Sequence, residues 1–229
     1  MGMRNRDRSF GRLLLFAVFF LFLIPPAGAQ GSLRVGRVAE DQKGPNLSFH
    51  MAYPRISGMA NEEMQRRLNV EFMERAETAR ARAVYASRGA AVTGSADFEV
   101  KRNQGGILSL LQKETIGSGA GAVRTAAGVT LDTVTGRRFL LCDLFDGNAD
   151  YAATLGGLMK QRTAREGMRP DEGTFGPIRA NGSFYLTADR LVLLFPQGGV
   201  SASTAGVKEF AIPLATLDGI LKPQFILRT

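Results

Sequence analysis

The stretch Ala96–Gly117, "ADFEVKRNQGGILSLLQKETIG", decides the fold. On both sides of Asn103–Gly106 apolar and polar residues alternate with period two, the pattern of two half-buried strands joined by a glycine turn. The next stretch, "GVTLDTVTGRRFLL" (128–141), reads the same way, as a strand pair turning at Thr135-Gly136. Successive hairpins predict an antiparallel meander. Further on, "SFYLTADRLVLLF" (183–195) adds a hairpin centred on Ala188-Asp189, and "VKEFAIPLATL" (207–217) gives one more strand and a short helix begun at Pro213. The closing "KPQFILR" reads as a terminal strand or a tail.

Two longer segments change period. In "YPRISGMANEEM" Pro54 fixes the backbone, Gly58 permits a tight bend and Asn61 caps a helix opening on Glu62 and Glu63. Met64, Leu68, Phe72, Ala76, Ala79 and Ala83 then recur at spacings of three and four, one apolar stripe that packs across a sheet. A second helix begins within Asp143–Asp150, with Asp146 or Asn148 as cap and Tyr151, Leu155, Leu158 and Met159 on one face. It ends in the breaker-rich region Gly167–Gly176. Upstream of a first strand near Leu47–Tyr53, residues 30–46 carry few large apolar residues and no period, and read as a flexible leader. The expected class is α+β: antiparallel sheets of hairpins packed by two main helices and a short C-terminal helix.

The N-terminus sets the compartment. Arg4, Arg6, Arg8 and Arg12 precede the apolar run Leu13–Ile24, then Pro25, Pro26 and the triplet Ala27-Gly28-Ala29. That order is a secretory signal over residues 1–29, and its 12 apolar residues fall short of the roughly 20 a spanning helix needs. The reading predicts an exported protein, periplasmic or secreted, with no stable membrane span after cleavage. Without Arg4, Arg6, Arg8, Arg12 and Asp7, the 29 basic and 21 acidic residues fall to 25 and 20, a formal charge of +5. The excess is scattered and forms no basic block interleaved with aromatics, so nucleic acid is not an expected partner. Residues 47–229 suffice for one domain with its own core.

Chemistry is sparse. Cys142 stands alone among apolar neighbours, so no internal disulfide forms and a buried hydrophobe is the simpler reading. His50 is the sole histidine; with one Cys and one His, zinc lacks its ligands, and no G-x-S-x-G elbow accompanies the serines. "GSGAGA" (117–122) lacks the Lys-Ser/Thr of a phosphate cradle and reads as a mobile hairpin tip. "DLFDGNAD" lacks the spaced ligands of a calcium loop. The acids Asp132, Asp143, Asp146, Asp150, Glu99, Glu114, Asp171 and Glu172 could serve a glycoside hydrolase only if two faced each other about 5 to 9.5 Å apart. No cofactor or metal site is expected.

Taken in order, "YPRISGMAN", "GGILSL", "GVTLDTVTGRRFLLCDLF", "NGSFYLTADRLVLLF" and "AGVKEFAIPLATL" make the chain from Tyr53 to Leu217 resemble the RsiV-like extracellular domain family. The family includes the lysozyme-receptor domain of an anti-sigma factor and domains beside peptidoglycan deacetylases. The resemblance implies a non-enzymatic α+β domain that binds a cell-envelope component or envelope-acting protein, such as lysozyme or a peptidoglycan fragment. Tyr53, Pro54, Gly58, Asn61, Asp132, Gly136, Phe139, Phe145 and Phe184 are then motif residues of core and turn. Leu140 and Leu144 join Phe139 and Phe145 beneath the second helix. Tyr185, Phe195, Pro196, Gln197, Ser201, Ser203 and Thr204 are the candidate ligand contacts.

In that last segment the chain departs from its relatives. Family members follow the late hairpin with Phe-x-Pro-Tyr-Glu-x-Ala-Pro-Tyr-Ala-x-Gly, whereas this chain has "FPQGGVSASTAG". The missing Tyr, Glu and second Pro argue against lysozyme recognition through this segment, because aromatic anchors carry much interface energy. The alternatives are a carboxylate-based hydrolase of envelope polymers and a self-associating structural envelope protein.

Overall fold

The computed structural model describes residues 33–165, 177–196 and 206–227. Strands β1 (Arg34–Gly44) and β2 (Leu47–Ser57) form a hairpin, helix α1 (Glu62–Ala86) follows, and β3 (Val92–Gln104), β4 (Ile107–Ile116) and β5 (Val123–Asp132) form the predicted meander. These five strands make one sheet in the order β1-β2-β3-β4-β5. Helix α2 (Tyr151–Arg165) leads to a second sheet of β6 (Phe184–Leu186), β7 (Arg190–Pro196) and β8 (Val207–Pro213), all antiparallel. The class is α+β, as the hairpin pattern requires.

Hydrophobic contacts order the layers. The α1 stripe Leu68, Phe72, Ala76, Ala79 and Ala83 is buried as its spacing predicts, against Phe98, Leu108 and Leu110 at one end and Phe49 and Met51 at the other. On the opposite face of the large sheet Leu111 meets Tyr185, Val192 and Leu194 of the small sheet. The outer face of that small sheet packs with Leu155 and Met159 of α2, in a core that also takes Ile107, Phe139, Phe145 and Phe225. Alternation along β4 therefore feeds both cores: Leu108 and Leu110 face α1, Ile107 and Leu111 the other side.

The two sheets join at a seam of small and hydroxyl residues. A Cβ at Gly128 of β5 would fall inside the carbonyl of Phe184 at the start of β6, so only glycine permits this approach. The Gly128 N–H donates to Ser183 Oγ at 3.0 Å, and the Leu186 N–H donates to Ser109 Oγ at 2.9 Å. Ser109 and Thr130, both buried, pair through their hydroxyls at 2.8 Å. Polar groups that a sheet edge would otherwise expose to the interior are thus satisfied.

Several expectations are corrected. The leader assigned to residues 30–46 contains strand β1, an edge strand whose charged residues Arg34, Arg37, Glu40, Asp41 and Lys43 conceal the alternation. Pro54 lies within β2, and the turn comes at Gly58, whose φ is 86°. Beyond Thr135-Gly136 no second strand forms: the Asp132 carboxylate accepts from the Val134 and Thr135 N–H groups at 2.9 and 2.7 Å, Leu131 bridges Arg138, and a 3-10 turn follows at Leu141–Leu144. In that segment Leu140 is exposed, while Phe139, Leu144 and Phe145 are buried as expected. The cap of α2 is Asp150, which accepts from the Ala153 N–H at 3.0 Å, and neither Asp146 nor Asn148. The C-terminal helix after Pro213 is a 3-10 turn, Leu214–Leu217, and "KPQFILR" contributes another, Pro223–Phe225, whose Phe225 ring is fully buried.

One pairing differs in kind. β2 and β3 run parallel, with α1 as their crossover, and pair only from Leu47–Met51 to Val92–Ala96. The break has a sequence cause. Backbone groups of Ile56 point toward β3, since both bond to Asn69 and not to β1; Pro54, two residues earlier, points the same way and has no N–H to offer. The strands part there, and side chains take over the ladder. Asn69 of α1 accepts from Ile56 N–H at 2.7 Å and donates to Ile56 O at 2.9 Å; Arg37 donates to Phe98 O at 3.2 Å, and Asp97 accepts from Phe98 N–H at 2.6 Å.

Candidate binding surface

Tyr185 is the predicted ligand contact whose surroundings are richest. It lies in the three-residue strand β6, with its ring against Leu111 and Val192 and its hydroxyl donating to Glu209 Oε2 on β8 at 2.8 Å. Burial first, then the Glu209 hydrogen bond and the charges of Glu209 and Glu99, raise its pKa above the ordinary phenol range. Lys101 Nζ sits 5.0 Å from the ring centroid. It also pairs at 2.5 Å with Glu99, which binds Lys113 from the other side. Hydrogen bonds from these two lysines hold the Glu99 carboxyl below its usual range. The result is a mixed-charge rim around a buried aromatic, on the face where the small sheet meets the large one.

The other predicted contacts divide. Phe195 is 8% exposed and packs in the α2-side core. Pro196, which matches the family pattern in type, ends β7, paired in register with Val207. Gln197, Ser201, Ser203 and Thr204 lie outside the described residues, as do the signal segment 1–29, Asp171 and Glu172. The motif residues fall in core and turns: Asn61 Oδ1 accepts from Met64 N–H at 2.9 Å, Gly136 has φ 72°, Pro54, Phe139, Phe145 and Phe184 are buried, and Tyr53 is half-buried.

Five of the acids weighed for hydrolysis have local structural partners. Asp132 closes its turn; Asp143 accepts from the Leu140 N–H at 2.9 Å and from Arg137 at 3.0 Å; Asp150 caps α2. Glu114 pairs with Arg82 at 2.7 Å and Glu99 with its two lysines. His50 meets Asp41 at 2.8 Å across the β1–β2 ladder, both side chains being exposed. Cys142 is half-buried. "GSGAGA" forms a 3-10 turn at the β4–β5 tip. Among the described residues no three of His, Cys, Asp and Glu converge on a point that could hold a metal ion, and no helix is long and apolar enough to cross a membrane.

Sequence reasoning missed Asn69 and Arg37. An Asn on a helix and an Arg on an edge strand carry no local signal; only the splitting of β2 from β3 gives them work.

The arrangement of layers is shared with two crystal structures. A DUF3298 family member from Bacteroides fragilis superposes with a TM-score of 0.61 at 16% identity, over 85% of this chain and 95% of that one. A DUF3298 family protein from Pseudomonas aeruginosa gives 0.60 at 16% identity, over 86% and 98%. At that identity the likeness is one of fold. No curated protein matches the sequence. Within this shared fold residues 142–215, from Cys142 through α2 and the small sheet to Ala215, match the DUF3298 family, described as a protein of unknown function.

Proposed function

We propose that this chain is an exported, RsiV-like, non-catalytic binding domain that engages a peptidoglycan fragment or an envelope-acting protein. The observation that carries the reading is the use made of its acids: Asp132, Asp143, Asp150, Glu99 and Glu114 are committed to turns, caps and ion pairs. A hydrolase would instead hold two carboxyls facing one another across a cleft. Binding uses the rim of Lys101, Lys113, Glu99 and Glu209 around Tyr185.

Calorimetry of the purified protein with lysozyme and, separately, with soluble peptidoglycan fragments tests this. Saturable binding to either is expected, weakened by Lys101→Ala, without release of reducing ends from peptidoglycan. Silence with both at high micromolar concentration, or appearance of reducing ends, overturns the proposal.

A further inference from the structure

Where β2 and β3 part, α1 lies over the gap and a slot remains. Ala52, Ala76, Ala79 and Ala96 wall it, and Tyr53, Phe72 and Phe98 bound it. It measures about 340 Å³ counted to its open mouth, but its enclosed depth has room for only a water-sized group. Two polar side chains line it without partners of their own. Gln112 is 8% exposed, and its Oε1 is buried with no hydrogen bond. Arg75 lines the mouth; its neighbours on α1 and beyond are paired, Arg80 with Glu77, Arg82 with Glu114 and Arg138 with Glu71. The two acids whose charges act on Arg75, Glu114 and Glu71, each pair with another arginine, while Arg138 and Arg82 add positive potential.

We infer that this slot binds a small carboxylate, with Arg75 as its cationic partner and the Gln112 amide as its second contact. The inference stands independently of the envelope-binding reading, which concerns the opposite face of the large sheet. Guanidinium and carboxylate match in geometry, and turning the Gln112 amide end for end presents Nε2 as a donor to the same group. Arg75 makes no ion pair of its own among the described residues, while Asp97 and Glu114 also line the slot, so its charge balance suits a monoanion and disfavours a phosphate dianion. The acid lies in the open mouth, and the alanine walls with their water-sized depth take at most its methyl group, as on acetate or the terminal residue of a short alanine peptide, and exclude a sugar or aromatic acid.

The test is a 15N–1H NMR titration of the purified protein with acetate, acetamide and chloride. Acetate should shift the backbone amides of Ala76 and Ala79 and the Gln112 side-chain amide along one saturable curve. Acetamide, and acetate with Arg75→Gln, should bind about fivefold or more weakly, since each removes one half of a charge-assisted pair. Arg80→Gln, whose arginine pairs with Glu77 away from the slot, should behave as the parent protein, and the dispersion of each spectrum reports that the variant is folded. No saturable response by about 100 mM acetate, beyond any useful affinity, overturns the inference. So does an equal response to acetamide or chloride, or an Arg75→Gln protein that binds acetate unchanged.

Discussion

Gly128 shows how much one absent methyl group decides. Its hydrogen atom faces the Phe184 carbonyl, and the approach lets the Gly128 N–H reach Ser183. Gly128→Ala must drive β6 away from β5 and break the Gly128–Ser183 and Leu186–Ser109 hydrogen bonds. Overpacking of a closed interior costs about 1–3 kcal/mol or more. Loss of at least about 3 kcal/mol in urea unfolding is expected here, because backbone and not a flexible side chain is struck. Tyr185 gives a second prediction at this scale. Its folded pKa is raised above the ordinary phenol value, so its contribution to stability is complete below about pH 10 and is lost as pH climbs through the higher folded value. Thermal melts between pH 8 and 12 should therefore fall less steeply for Tyr185→Phe than for the parent.

At the level of elements, the meander and the α1 stripe were legible because their signals are local: period two about Asn103–Gly106, spacings of three and four from Met64 to Ala83. Strand β1 was not, since an edge strand needs no hydrophobic face and carries charges that resemble a leader. The parallel junction of β2 with β3 was hidden for another reason. Pro54 looks like a turn signal, yet it acts on the neighbouring strand by withholding an N–H, an effect visible only once the neighbour is known. Asn69 supplies what the ladder loses there. Asn69→Leu leaves the Ile56 N–H and C=O without partners in the interior, each at about 1–3 kcal/mol. A loss of about 2–4 kcal/mol is expected, with early hydrogen exchange at Ile56; Asn61→Ala, which removes only a cap, should cost about 1 kcal/mol.

Across the whole molecule, the two halves of the chain share one core. The segment 142–215 that matches the family model packs against Ile107 and Phe139, which precede it, and against Phe225, which follows it. The candidate binding surface is built in the same way, Lys101, Glu99 and Lys113 coming from the large sheet and Tyr185 and Glu209 from the small one. Of this surface only Tyr185 was foreseen, because sheet-to-sheet docking, and not local pattern, brings the charges to it.

Phe225 also meets Phe139 edge to face at 5.0 Å, and its carbonyl accepts from Arg102, a guanidinium 2% exposed, at 2.7 Å across 123 residues of chain. Until the ribosome has delivered that ring, Arg102 has no Phe225 carbonyl to hold it and the α2-side core stands open. A contact of such sequence separation is the kind that forms slowly in folding, because the entropy of closing its loop is spent before the contact returns anything.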